Sequence, residues 1–107
     1  MSGLEQLMKR IDKFNKDRDW DQFHTPTNLA KSISIEANEL LECYQRNDQA
    51  DISNVREELA DVIVYCQDML DKLGLDVDEI VNSKMDKNEV KYPVKKAKGC
   101  SQKYDRL

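Results

Sequence analysis

The sequence predicts an all-α fold, a bundle of four main helices whose core is completed by oligomerisation. Only three glycines and two prolines interrupt 107 residues, and the stretches between them are rich in helix-forming Leu, Glu, Lys and Met. No run of strand length alternates apolar and polar residues. Because 39% of the residues are hydrophobic and 36% are charged, a lone chain of this size buries little apolar surface. We therefore expect a single domain, residues 1–107, that relies on partner subunits.

The first two helices are predicted from apolar spacing and a start signal. Apolar residues recur every three or four positions from about Leu4 to Arg18, which is the spacing of one helix face. Thr25 is a typical capping residue, and Pro26 after it suits the first helical position, where no N–H is needed. The second helix is predicted to run from there to about Arg46.

The third helix is predicted between a polar connection and a glycine. Asp51 or Ser53 could cap its first turn, since both side chains can accept a hydrogen bond from a backbone N–H. The helix is expected to run to Leu73 and to stop at Gly74, because glycine is the preferred residue just past a helix end.

The fourth helix begins at a sequence typical of a capping box, Asp76 followed three residues later by Glu79. It should end before Tyr92, because a residue that precedes proline avoids helical geometry. The basic segment after Pro93 is compatible with an ordered arm or with a loose tail.

Charge and composition exclude several classes of protein. The net charge of −4 disfavours binding to duplex nucleic acid, whose phosphates require a basic face. No apolar run approaches the roughly 20 residues that span a bilayer, and the N-terminus lacks the apolar core of a secretory signal. Three cysteines without a C-x-x-C spacing indicate neither a disulfide framework nor a zinc site. These features predict a cytoplasmic protein without a membrane partner.

Four carboxylates lie beside apolar helix faces, where side chains are usually uncharged. Glu36 and Glu39 on the second helix, like Glu58 and Asp61 on the third, are three residues apart and so share a face. Helical spacing puts Glu36 and Glu58 at the edges of the apolar stripes. Clustered carboxylates with few basic neighbours suit a hard divalent cation such as Mg²⁺. Two ordinary solvated acidic faces are the alternative.

Other catalytic sites known from helical bundles fit less well. A di-iron carboxylate site uses Glu-x-x-His motifs, and the only histidine, His24, lies in a predicted loop. The sequence also contains neither a nucleophile elbow nor a phosphate-binding P-loop.

The order of these motifs resembles a known family. E-x-x-E, then 18 residues, then E-x-x-D resembles the all-α nucleoside triphosphate pyrophosphohydrolases of the MazG type. Three further segments are similar to the dCTP pyrophosphatase branch: DWDQFH before the pair, then SKMDKN and KYP after it. The resemblance covers the chain from about Phe14 to Tyr104. One departure is Arg46, which replaces a tryptophan found in the animal members that are specific for dCTP.

The resemblance implies a Mg²⁺-dependent enzyme, with Mn²⁺ as an alternative metal, that cleaves a nucleoside triphosphate between its α- and β-phosphates. It implies that Glu36, Glu39, Glu58 and Asp61 are the catalytic metal ligands. A carboxylate that the metal does not fully engage could orient the attacking water as general base, and Glu39 is the candidate. The base-side residues that it implies are Trp20, Phe23, His24 and Tyr65. The phosphate-side residues that it implies are Lys84 and Asn88, with Lys31, Lys87 and Lys91 as further candidates. It also implies a preference for dCTP-like or modified pyrimidine nucleotides.

The substrate-binding residues also have plain structural interpretations. Trp20 and Tyr65 could be packing aromatics, His24 could hydrogen-bond the loop backbone, and the lysines could form a solvated basic face. The resemblance implies a homodimer that pairs again into a tetramer. The alternative function is a non-catalytic helical module that binds nucleotides or other proteins.

Overall fold

The computed structural model describes residues 2–45 and 49–107, and within these ranges it contains helices and no strand. The helices are α1 (Gly3–Asp17), α2 (Pro26–Glu42), α3 (Ile52–Leu73), α4 (Val77–Lys91) and the short α5 (Val94–Ala97), with 3₁₀ turns at Asp21–Phe23 and Tyr104–Arg106. The predicted all-α fold with four main helices is confirmed. None of the described helices has the length and apolar character needed to cross a bilayer.

The predicted starts of the helices are formed by side-chain caps. The Thr25 hydroxyl accepts a hydrogen bond from the Asn28 N–H at 3.1 Å, and Pro26 occupies the first helical position. Asp51, rather than Ser53, caps α3, and its carboxylate accepts from the backbone N–H of Ser53 at 2.9 Å. Asp76 caps α4 in the same way. These polar residues satisfy N–H groups that the helices leave unpaired.

The C-terminal end of α2 differs from the prediction. The helix ends at Glu42, whereas the sequence predicted that it continues to about Arg46. The N–H groups of residues 43–45 each donate to the carbonyl three residues earlier, so the chain tightens into turns of 3₁₀ type. Arg46 lies outside the described residues. At the end of α3, Gly74 adopts the left-handed conformation with φ of 65°, as expected for a glycine cap.

The connection between α1 and α2 holds Trp20 in a defined position. Asp19 has a positive φ of 54°, and its backbone carbonyl and carboxylate both accept hydrogen bonds from the side-chain amide of Gln22. The backbone N–H of Trp20 donates a hydrogen bond to the backbone carbonyl of Asn15 at 3.0 Å. Its indole ring meets Phe14 edge to face, with the ring centroids 5.4 Å apart. The loop thereby places an aromatic ring at the end of α1.

The chain forms two compact units, one ending at Gly74 and one beginning at Leu75. In the first unit α2 packs along α3, and α1 also contacts α3. The buried apolar core there is small: Leu29 is 1% exposed and Val55 is 9% exposed. Large apolar side chains remain exposed in both units. The single domain and the partner subunits that the sequence predicted stay predictions.

Candidate functional site

Three of the four predicted carboxylates converge where α2 packs along α3. Oxygen atoms of Glu36, Glu58 and Asp61 all lie within 4.8 Å of one another. Glu36 and Glu58 are half-buried, and Asp61 is exposed. The i, i+3 spacing within each helix fixes which face the carboxylates share, and the packing of α2 on α3 brings the two faces together. The half-buried Glu39 lies close enough to interact with this cluster.

Burial and mutual repulsion raise the pKa values of two carboxylates in the cluster. Burial is the largest cause that raises the pKa of Glu36 above the usual value for glutamate, followed by a hydrogen bond with Glu39 and repulsion from neighbouring carboxylates. The same causes raise the pKa of Glu58. Both shifts indicate that the ionised cluster lacks compensating positive charge.

A divalent cation fits this arrangement of acceptors. One carboxylate oxygen of Glu36 and one of Glu58 are buried without a hydrogen-bond partner. The salt bridges found among the described residues, Lys13 to Asp17 and Lys16 to Asp12, both lie within α1. Buried acceptor oxygens without partners are costly, and oxygen-only ligand sets suit Mg²⁺ and related cations. The acidic cluster could therefore hold a metal ion.

An aromatic cavity adjoins the acidic cluster in the same unit. It has a volume of about 590 Å³. Its lining residues are Leu7, Arg10, Ile11, Phe14, Asn15, Trp20, His24, Ala60, Asp61, Ile63, Val64, Tyr65 and Asp68. Asp61 belongs to both the cavity and the cluster, and Tyr65 lies one helical turn further along α3. Burial is the largest cause that raises the pKa of Tyr65, and repulsion from Glu36 comes next.

Three of the predicted base-side residues, Trp20, His24 and Tyr65, thus lie around one cavity. Phe23 is 60% exposed and is not part of this lining. Its carbonyl accepts a hydrogen bond from the Asn28 side chain at 3.0 Å. Lys31 is exposed on α2 and is also absent from the lining.

The predicted phosphate-side residues other than Lys31 lie on α4, in the second unit. They are Lys84, Lys87, Asn88 and Lys91. Asn88 is half-buried, whereas the three lysines are exposed. The ammonium group of Lys91 lies 4.8 Å from the centroid of the Tyr104 ring, which is a cation–π contact within this unit.

The sequence analysis did not identify a buried polar pair, Asn15 and Asp68, that also lines the cavity. The Asn15 amide donates to Asp68 Oδ1 at 2.8 Å, and each residue is 6% exposed. Burial raises the pKa of Asp68, and this effect outweighs the opposing influence of the Asn15 hydrogen bond and of His24. The available signal was the position of Asn15, four residues after Ile11 on the apolar face of α1.

Comparison with known proteins finds relatives of the family that the sequence motifs resemble. The model of the MazG-like family matches residues 31–107, a range that contains all four carboxylates. The chain is 33% identical over 114 residues to dCTP pyrophosphatase 1 of Rattus norvegicus and 32% identical to that of Homo sapiens. Each match covers 97% of this chain and 67% of the relative.

A solved structure is also similar, the crystal structure of a pyrophosphatase from Archaeoglobus fulgidus DSM 4304. It matches with a TM-score of 0.81 and 39% sequence identity. The match covers 87% of this chain and 94% of that chain. At this identity the similarity extends beyond the shared helical architecture to the sequence itself.

Proposed function

The chain belongs to the MazG-like family, and from this we propose that it is a divalent-metal-dependent nucleoside triphosphate pyrophosphohydrolase. Its substrates would be dCTP-like or modified pyrimidine deoxynucleoside triphosphates, and its products the monophosphate and pyrophosphate. The relatives that match almost the whole chain are dCTP pyrophosphatases, and the similar solved structure is a pyrophosphatase. House-cleaning of the nucleotide pool is the role that fits such a reaction.

The observation that carries this proposal is the continuity of the acidic cluster with the aromatic cavity through Asp61. Aromatic rings can stack on a nucleobase, while metal-loaded carboxylates can hold the phosphates. One face of α3 therefore presents both kinds of group, Asp61 for the phosphate end and Tyr65 beside the base end. A protein–protein interface alone would not require carboxylates with unpaired buried oxygens.

In the proposed reaction, water attacks the α-phosphorus, the bond to the bridging oxygen breaks, and pyrophosphate leaves. We assign the metal-binding role to Glu36, Glu39, Glu58 and Asp61. Bound Mg²⁺ or Mn²⁺ would supply charge neutralisation between these carboxylates and the phosphates, and Lewis acidity toward the substrate. Without such neutralisation, a triphosphate would be repelled by the cluster.

Residues of this chain would supply the remaining chemistry. Glu39, the member of the quartet that lies beside the tight cluster of three, would orient the attacking water as general base. Lys84 and Asn88 are one helical turn apart on α4 and could bind one ligand together. For these two residues and for Lys91 we retain the phosphate-binding role that the sequence predicts.

Release of pyrophosphate from a panel of nucleotides tests the proposed reaction. We expect hydrolysis of at least one deoxynucleoside triphosphate in Mg²⁺ and loss of all hydrolysis in EDTA. Mg²⁺ should also raise the melting temperature, because a ligand that binds only the folded state stabilises it. If no nucleotide releases pyrophosphate in Mg²⁺ or Mn²⁺, the proposal fails and a non-catalytic nucleotide-binding or protein-interaction module becomes the better interpretation.

We also propose that the protein is a homodimer that pairs again into a homotetramer. Leu29 and Val55 are the buried apolar side chains among the described residues, while Ile35, Ile52 and Ile63 are each more than half exposed. A core this small gives little stability to a lone chain, so burial against other subunits is expected to complete it.

Light scattering at micromolar concentration should therefore return at least twice the 12.5 kDa mass of one chain. The melting temperature should also rise with protein concentration, because association stabilises only the folded state. A mass of one chain, together with a melting temperature that is independent of concentration, would refute the proposed assembly.

A further inference from the structure

The pair formed by Asn15 and Asp68 has unused hydrogen-bonding capacity inside the aromatic cavity. Each residue is 6% exposed, and the hydrogen bond between the two side chains, 2.8 Å long, joins α1 to α3. Asn15 is the one hydrogen-bond partner that the described residues give to the Asp68 side chain. An ionised carboxylate has about four acceptor positions, so most of the acceptor capacity of Asp68 is not used within the protein.

The pair lies at a useful distance from the acidic cluster. Asp61 and Asp68 are seven residues apart on α3, which is about two helical turns and about 10 Å along the axis. Residues seven apart return to nearly the same face of a helix. Tyr65 lies between them, and its pKa is raised first by burial and then by carboxylates on both sides, Glu36 and Asp68 among them. This separation is comparable with the reach of a nucleoside triphosphate from its base to its phosphates.

We propose that Asn15 and Asp68 read the edge of the substrate base, and that they select bases carrying an exocyclic amine next to a ring-nitrogen acceptor. The proposal rests on the proposed function and assigns its base specificity to a polar pair. Trp20, at the cavity wall, would hold the plane of the base while the pair tests its edge.

The chemistry of base edges explains the selection. Cytosine offers an amine donor at N4, and a carboxylate is a natural acceptor for it, whereas thymine and uracil carry an oxygen acceptor at that position. Asp68 would accept from the amine, and the second N–H of the Asn15 amide would donate to the neighbouring ring nitrogen. Thymine or uracil would place its keto oxygen against the buried carboxylate of Asp68. Both groups are hydrogen-bond acceptors, so neither would have a donor. Adenine shares the amine and ring-nitrogen pattern of cytosine.

The wild-type enzyme provides the first test. We expect kcat/KM for dCTP to be roughly 10- to 150-fold higher than kcat/KM for dUTP, which is the range of a hydrogen bond to a charged group. The same difference is expected between dCTP and its analogue that lacks the 4-amino group. Measuring dATP and dGTP as well shows whether the hydrogen-bonding pattern of the base edge is enough for recognition, or whether the cavity accepts only pyrimidines. Hydrolysis of dUTP and dCTP at equal rates would overturn the inference and leave the proposed function intact.

The second test replaces the acceptor. Asp68→Asn should reduce the ratio of kcat/KM for dCTP over dUTP at least about 10-fold, mostly through KM, because an amide can donate to the keto oxygen as well as accept from the amine. Asp71→Asn is the matched control, since Asp71 lies on the same helix, is exposed, and loses the same charge. If the pair only joined α1 to α3, Asp68→Asn would lower activity toward all bases equally, and that result would overturn the inference.

A binding measurement separates this inference from the hydrolysis reaction and does not depend on the activity of Asp68→Asn. In EDTA, dCMP should quench the fluorescence of Trp20, the only tryptophan, at lower concentrations than dUMP does. Equal quenching by the two monophosphates would contradict base reading by the pair, even if every triphosphate were hydrolysed. Selective quenching by dCMP in a protein that hydrolyses no triphosphate would contradict the proposed reaction alone.

Discussion

Glu36→Gln is expected to lower kcat at least about 100-fold while the helix content measured by circular dichroism stays unchanged. The substitution keeps the size of the side chain but removes a charged oxygen from a cluster whose members lie within 4.8 Å. Loss of a ligating carboxylate weakens cation binding and disturbs the position of the attacking water. Asp61→Asn should have the same effect. Steady-state kinetics with the best substrate of the nucleotide panel would measure both variants.

The controls for this experiment lie on the same two helices. Glu42→Gln on α2 and Glu57→Gln on α3 make the same charge change at exposed positions outside the cluster. Both should leave kcat within about twofold of wild type, a difference of roughly 0.4 kcal/mol in the barrier. A cluster variant that kept more than a tenth of the wild-type kcat, about 1.4 kcal/mol, would show that its residue is not an essential ligand.

The same variants report on the metal without any catalysis. Mg²⁺ should raise the melting temperature of the wild type and the two controls but have little effect on Glu36→Gln. In EDTA, Glu36→Gln should melt at the same temperature as wild type or higher, because the substitution removes a charge that is disfavoured by burial and by repulsion from neighbouring carboxylates, the effects that raise the pKa of Glu36. A cation response that survived in Glu36→Gln would place the metal elsewhere.

Trp20→Ala is expected to raise KM for the best substrate by roughly 5- to 150-fold, and to raise KM more than it lowers kcat. Stacking of a base on an aromatic ring contributes about 1–3 kcal/mol and acts similarly on the substrate and the transition state. Trp20 is 42% exposed, so its ring retains free surface for a base although it also meets Phe14. Binding of a non-hydrolysable nucleotide should quench its fluorescence.

Trp20→Phe is the matched control, because it keeps an aromatic face against Phe14 and should recover most of the lost affinity. Circular dichroism and melting curves would show whether Trp20→Ala disturbs the packing of the loop. If KM is unchanged in Trp20→Ala and the fluorescence of the wild type does not respond to saturating nucleotide, Trp20 is a packing residue and the base binds elsewhere.

The limits of most helices follow from local chemistry that the sequence carries directly. A cap, a proline or a left-handed glycine acts on N–H groups and carbonyls within about four residues, as Thr25 and Gly74 do. The end of α2 was predicted too late, because no glycine or proline marks it and the helix ends by tightening into 3₁₀-type turns after Glu42.

The residues of the acidic site could be predicted from the sequence, whereas the distances between them could not. The i, i+3 spacing put Glu36 with Glu39, and Glu58 with Asp61, on shared faces, because helical periodicity is fixed within each helix. How closely the two faces approach depends on how α2 slides and rotates against α3. That packing is set by the fit of side chains far apart in the sequence.

The sequence by itself determined the all-α class, most of the helix limits and the four carboxylates, because each depends on interactions within one or two helical turns. Only the tertiary structure decided that three carboxylates converge, that Trp20 shares a cavity with Tyr65, and that Asn15 meets Asp68. Asn15 and Asp68 are separated by 53 positions, and although Asn15 lies on the apolar face of α1, nothing in the sequence indicates that it pairs with Asp68. Their burial against each other arises when α1 packs on α3, and no periodic pattern within either helix encodes that contact.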